Sequence, residues 1–171
     1  MEVAKGPACN REEILTRLMA QYQVSLLHMC CTYLRDGALA EDAVQETFLK
    51  AYKALPAFRG ECSEKTWLMR IAVNTCRDLK RSAWFRHVDR RMDAAEAADA
   101  QPENAHAQAL AEAIALLPRR QKEMVLLYYY QDMTLKETAE ALGTSIPSVS
   151  RQLKQACARL RAMLKEELHE R

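Results

Sequence analysis

Residues 134–164 read TLKETAEALGTSIPSVSRQLKQACARLRAML, and this stretch decides the fold. Leu135, Ala139 and Leu142 fall on one side of a first short helix. Gly143 stops it, because glycine takes the left-handed conformation at a helix end without steric cost. Thr144 and Ser145 offer capping oxygens to a second helix, and Pro147 is tolerated in its first turn. Ile146, Val149, Leu153 and Leu160 are predicted to point inward at spacings of three, four and seven. Ser148, Ser150, Arg151, Lys154 and Gln155 are left facing outward. Between Ser145 and Lys165 there are five Lys or Arg and no Asp or Glu. Two helices around a tight turn, the second basic on its outer face, form a helix-turn-helix with a recognition helix suited to a major groove. The plainer alternative is a surface hairpin whose cationic face is merely solvated.

The rest of the chain agrees with an all-α fold. Four Gly and five Pro in 171 residues leave little room for turns, and good helix formers dominate. With 49% hydrophobic residues the chain can pack one domain or two small ones. Net charge is only +2, which excludes a uniformly basic nucleic-acid coat. Its distribution is uneven: residues 86–107 carry three basic and five acidic side chains, an acidic middle between mildly basic ends. Affinity for DNA scales with the phosphates neutralised, so two modest patches point to a larger partner supplying most of the binding. Cys9, Cys30, Cys31, Cys62, Cys76 and Cys157 form no CxxC pair, and no apolar run approaches twenty residues. The expectation is a cytoplasmic chain with free thiols, no metal and no cofactor.

Three helices are predicted before the acidic middle. Residues 11–35 carry an inner stripe of Ile14, Leu18, Tyr22 and Leu26, broken at Asp36 and Gly37. Residues 41–55 bury Ala43, Val44, Thr47, Phe48, Ala51 and Leu55, and Pro56 ends them. After a loop at Phe58–Glu64, Ser63 caps a helix over 64–81 with Trp67, Leu68, Ile71, Ala72, Cys76 and Leu79 inward. The pattern fades over 82–107, which reads as a flexible linker with a short helix near 90–97. Helices over 108–117 and 121–131 then lead into the helix-turn-helix. Two small helical domains result, 1–85 and 108–171, joined by a linker at 86–107.

The helix over 64–81 mixes cation, aromatic and amide: Lys65, Trp67, Arg70, Asn74, Arg77, Lys80 and Arg81. Arg70, Asn74 and Arg77 share a face. Phosphate needs the cations, a splayed base needs an aromatic wall, and base edges need an amide or guanidinium. That combination suits melted DNA better than duplex. A core Trp67 beneath simply solvated charges fits the spacing equally well. On the preceding helix, acids lie upstream and lysines downstream, which dipole complementarity alone explains, although the face could also dock a protein. No Gly-rich phosphate loop, GxSxG or HExxH is present, so no enzyme is expected.

These residues resemble the bacterial RNA polymerase sigma factors of the extracytoplasmic-function group. AEDAVQETFLKAYKAL (40–55) is similar to the family's core-binding helix, FRGECSEKTWLMRIAVNTCRDLKR (58–81) to its −10 segment, and residues 117–160 to its −35-reading domain. The resemblance implies that Asp42, Gln45, Glu46, Phe48 and Lys50 meet the clamp helices of the polymerase's largest subunit. It implies that Phe58 and Arg59, with Lys65, Trp67, Arg70, Asn74 and Arg77, engage the −10 element, the loop receiving a flipped base and Asn74 reading its edge. Extrusion costs a few kcal/mol, so a pocket must compensate. Ser148, Ser150, Arg151, Lys154 and Gln155 would face the −35 duplex. Relatives often carry cations where this chain has Ser150 and Gln155, which implies fewer direct phosphate or guanine contacts. The implied partners are core RNA polymerase, promoter DNA and an anti-sigma factor, commonly membrane-bound; the free factor is implied to be a monomer.

Two other classes remain open at this point. A stand-alone helix-turn-helix regulator would dimerise on a palindrome, yet no dimer helix is evident and the tryptophan-bearing segment would have no task. A cysteine redox sensor would need a low-pKa thiol near cations. Cys76 beside Arg77 comes nearest, but its helical phase points it to the core.

Overall fold

The computed structural model describes residues 7–89 and 105–169. Among them the regular structure is helical: α1 (Pro7–Leu34), α2 (Gly37–Ala54), α3 (Glu64–Asp89), α4 (Ala105–Leu116), α5 (Arg119–Val125), α6 (Leu135–Leu142) and α7 (Ile146–His169). A 3-10 turn at Leu55–Ala57 follows α2, and a π-helical turn at Leu126–Tyr130 extends α5.

Local chemistry sets the boundaries. Arg35 takes a left-handed φ of 57°, and Asp36 then caps α2 by accepting from the Leu39 N–H at 2.9 Å. The Asp36–Gly37 break is therefore also the start of the next helix, four residues before the predicted Glu41. Ser63 caps α3, its Oγ accepting from the Thr66 N–H at 3.0 Å. Thr134 and Glu137 close a reciprocal capping box at α6. There the Thr134 N–H, donating to Glu137, holds that carboxyl below its ordinary range. Gly143 ends α6 at φ 62°, ψ 43°, and Ser145 starts α7, its Oγ accepting from the Ser148 N–H at 3.3 Å.

Helices α1–α3 pack on one another around Leu18, Leu26, Met29, Ala43, Phe48, Leu68, Met69 and Ala72. Helices α4–α7 close around Ile114, Met124, Leu127, Ala139, Val149, Leu153 and Leu160. Ile146 departs from the predicted stripe: at 45% exposed it sits at the open first turn of α7, before the helix meets its neighbours. Helix α3 also runs past the predicted end at residue 81, because no Gly or Pro interrupts it before Asp89. Residues 86–89 and 105–107, read as linker, are helical, and the short helix expected near 90–97 lies outside the described residues.

The two helical groups lie against each other. Helix α3 packs on α6, and α1 on α4 and the π-helical turn. This contact was not anticipated from the sequence. None of the described helices is long and apolar enough to cross a membrane.

Candidate nucleic-acid interface

The loop after α2 and the start of α3 build a concave site. The Phe58 N–H donates to the Leu55 carbonyl at 3.2 Å, which folds the loop back over α3. Phe58 and Trp67 then lie with ring centroids 4.8 Å apart, tilted by 31°. They line an open cavity of about 530 Å³ with Arg59, Cys62, Arg70 and, from α6, Glu140. Trp67 is half-buried, so it is at once a packing residue and an aromatic wall. Two arginines, Arg59 and Arg70, and two glutamates, Glu61 and Glu140, surround the partly open aromatics.

Along α3, Asn74 is exposed, and its Oδ1 accepts from Arg77 Nη1 at 3.1 Å. Arg77 is turned away from solvent towards α5: its Nε and Nη2 donate to Glu123 at 2.7 and 2.6 Å. Arg70 Nη2 donates to the Glu140 carbonyl at 2.8 Å. Lys65 is half-buried, and Arg59 is exposed. Of the predicted −10 residues, Phe58, Arg59, Trp67 and Arg70 line the cavity and Lys65, Asn74 and Arg77 do not; Arg70 and Arg77 are taken up by the C-terminal helices.

The exposed side of α2 carries Asp42, Gln45, Glu46 and Lys50 beside Leu49, with Thr75, Asp78, Leu79 and Ser82 of α3 completing a shallow groove of about 450 Å³. Lys50 Nζ sits 3.8 Å from both Glu46 and Asp78 and donates to Thr75 Oγ1 at 3.3 Å. Leu49 is 48% exposed here, an apolar centre within a charged rim that the sequence reading overlooked. Phe48 is 4% exposed and packs into the N-terminal core, as the apolar stripe of α2 predicts, so it does not line this groove, where the resemblance implies a docking role for it. Successive helical residues are turned by about 100°, so Thr47 and Phe48 fall on the buried stripe of α2 and Leu49 faces out.

On α7, Arg151, Lys154 and Gln155 are exposed and Ser148 and Ser150 are half-exposed, a continuous polar face opposite buried Val149 and Leu153. Gln155 Oε1 accepts from Gln121 Nε2 at 3.4 Å, which ties the recognition helix to α5. The cysteines fit packing. Cys30 and Cys76 are buried with sulfurs 3.5 Å apart, and that contact together with burial pushes the Cys30 thiol up, away from a reactive thiolate.

This arrangement matches two family descriptions along the chain: Sigma-70 region 2 over residues 18–86 and Sigma-70, region 4 over residues 107–160. The chain belongs to the RNA polymerase sigma factors of the extracytoplasmic-function type. It is 43% identical over 61 residues to the RNA polymerase sigma-H factor of Pseudomonas aeruginosa, covering 36% of this chain and 32% of that protein. Against the probable RNA polymerase sigma factor RfaY of Xanthomonas campestris it is 30% identical over 176 residues, 96% of this chain and 42% of the relative. The ECF RNA polymerase sigma-E factor of Escherichia coli K12 is 40% identical over 80 residues, 47% and 41% of the two chains. The chain therefore spans well under half the length of each of these relatives. Among solved structures, CnrH in complex with the cytosolic domain of CnrY aligns at TM-score 0.71 and 25% identity over 93% of this sigma factor and 92% of that chain. RpoE of Bartonella quintana, in complex with the anti-sigma factor NepR, aligns at TM-score 0.76 and 21% identity over 90% and 98%, a likeness of fold.

Proposed function

We propose that this sigma factor is an alternative specificity subunit that binds core RNA polymerase, reads −35 and −10 promoter elements and promotes strand opening. The observation that carries the reading is the Phe58–Trp67 cavity at the head of α3, with Arg59 and Arg70 in its lining, on the same chain as the exposed polar face of α7. A duplex reader alone has no use for an open aromatic cavity that can admit a base, and a single-strand binder alone has no use for a helix-turn-helix.

Each face has a task. The α2 groove, with Leu49 at its centre and Asp42, Gln45, Glu46 and Lys50 around it, docks on polymerase. Arg151 and Lys154 neutralise phosphate at the −35 duplex, while Ser148, Ser150 and Gln155 reach base edges. At −10, a base leaves the stack and enters between Phe58 and Trp67, with Arg59, Lys65, Arg70 and Arg77 on the backbone and Asn74 on a base edge. Stacking is worth about 1–3 kcal/mol per base, enough to offset a large part of the extrusion cost. Holding one strand in this way favours the open complex without any covalent chemistry, so the protein acts as a regulator and not as an enzyme. It works as a monomer in the cytoplasm, and an anti-sigma protein, such as those bound to the aligned CnrH and RpoE structures, is its expected antagonist.

The test is strand opening itself. Core polymerase and a promoter carrying 2-aminopurine at −10 should gain fluorescence only when this protein is added. The Trp67→Ala variant should bind core normally and fail to open DNA. Opening by core with the variant at the wild-type rate would remove the cavity from the mechanism.

A further inference from the structure

Glu123 lies where the two domains meet. It is 1% exposed, and its charged side chain, carried by α5, is bonded entirely to the N-terminal domain. Arg77 Nε and Nη2 donate to it at 2.7 and 2.6 Å, and the Tyr33 hydroxyl at 2.9 Å. Lys80 and Lys122 lie 5.7 and 5.6 Å from the centre of the Tyr33 ring. Two further bonds cross nearby: Arg70 to the Glu140 carbonyl at 2.8 Å, and Gln131 Nε2 to the Ser25 carbonyl at 2.9 Å.

The chemistry of the main contact is telling. A carboxylate held by two donors of one guanidinium uses the same fork that arginine offers to a phosphate. Arg70 and Arg77 both belong to the residues assigned above to the melted strand, and Glu140 lines the Phe58–Trp67 cavity. The α2 groove is different. Its lining comes from α2 and α3 alone, and Asp42, Gln45 and Leu49 remain exposed.

We propose that the free chain is self-inhibited: Glu123 stands in for a DNA phosphate on Arg77 and, with Tyr33, latches the C-terminal domain over the strand-reading face while the polymerase-docking groove stays open. Core polymerase therefore engages the closed factor through α2, and reading of the −10 strand follows separation of the domains. The latch is reversible by construction. Separation returns both ions to water, and Arg77 is already 28% exposed, so much of the pair's electrostatic gain is cancelled by the desolvation it requires. The consequence for DNA rests on the promoter-recognition reading; the latch geometry does not.

The test uses the full chain with a fluorescence donor at Lys53 and an acceptor at Ala158, introduced as unnatural amino acids because the chain has six cysteines. Both positions are exposed. Glu123→Gln should raise the open-to-closed ratio by about tenfold, the scale of a typical conformational coupling. Tyr33→Phe acts from the other domain at nearly constant volume and should give a smaller loss of transfer. Affinity of the free protein for a short single-stranded oligonucleotide should rise in step. Unchanged transfer in both folded variants overturns the latch. Loss of transfer without a gain in DNA affinity overturns its inhibitory role. If wild-type protein with core polymerase also fails to initiate, the promoter reading itself has failed, a result separate from the latch.

Discussion

Arg77→Ala probes the interdomain contact through an asymmetry visible in the structure. Glu123 is 1% exposed at its side chain, whereas Arg77 is 28% exposed. Removing the arginine strands a buried carboxylate whose remaining side-chain donor is the Tyr33 hydroxyl at 2.9 Å. Breaking a buried pair by deleting one partner costs about 3–5 kcal/mol, and the surviving Tyr33 bond places this case near 3. Glu123→Gln is milder, because Arg77 can turn to water and the amide oxygen still accepts. Combining the two changes removes the stranded charge and leaves a neutral amide bonded to Tyr33, for a residual cost of about 1–2 kcal/mol. The double variant is therefore expected to be more closed than Arg77→Ala alone. Energy transfer between the two domains, followed through a urea titration with helicity recorded in parallel, separates domain parting from unfolding. A double variant as open as Arg77→Ala, or more so, refutes the buried-charge argument.

Four further outcomes follow from named residues. Asn74→Ala should slow promoter opening more than it weakens core binding; equal loss of both, in opening and pull-down assays, contradicts its base-edge role. Arg151→Ala with Lys154→Ala should weaken −35-dependent binding and flatten its salt dependence by about two units of slope, one for each phosphate contact, as read by titration across salt concentrations. Gly143→Ala should destabilise the C-terminal domain by about 1–2 kcal/mol in thermal melts, because φ is +62° while a Cβ meets nothing within 4 Å, so only the backbone strain counts. Burial, then the charge of Lys80, lowers Lys122 to about 8 from its ordinary 10.5. The closed form thus binds fewer protons than the open form between those values, and closing strengthens as pH rises from 8 towards 10. Lys122→Met should close more tightly at pH 7 and lose that dependence when energy transfer is followed across the range.

Much of the fold is local chemistry, and local chemistry is legible. Gly143, Ser145, Ser63 and Pro56 mark boundaries because each has a conformation or a capping oxygen that neighbouring residues lack. The Thr134–Glu137 capping box was legible too, since Thr-x-x-Glu stands before an apolar stripe, but periodicity alone passes over it. The end of α3 was misread because falling amphipathicity resembles a linker, while the helix needs only the absence of breakers. Periodicity places Phe48 in the core, where it lies, while the resemblance assigns it to the docking surface by position in the motif; Leu49, the apolar residue exposed on that surface, stands outside the buried stripe and carries no sequence signal of its own. The interdomain contact was not legible at all. Lys122 and Glu123 are charged and buried at 4% and 1% exposure against Tyr33, Arg77 and Lys80, and sequence gives no sign that adjacent charges are covered by a second domain. Pairing Arg77 with Glu123 spans 46 positions and two domains.

The most direct measurement combines purified protein with sigma-free core polymerase and genomic DNA and maps the transcript starts. Discrete starts that share two spaced elements and vanish without the protein are the expected result. Failure to bind core or to initiate, with the protein binding DNA as a dimer on a palindrome, would contradict it and leave a stand-alone helix-turn-helix regulator.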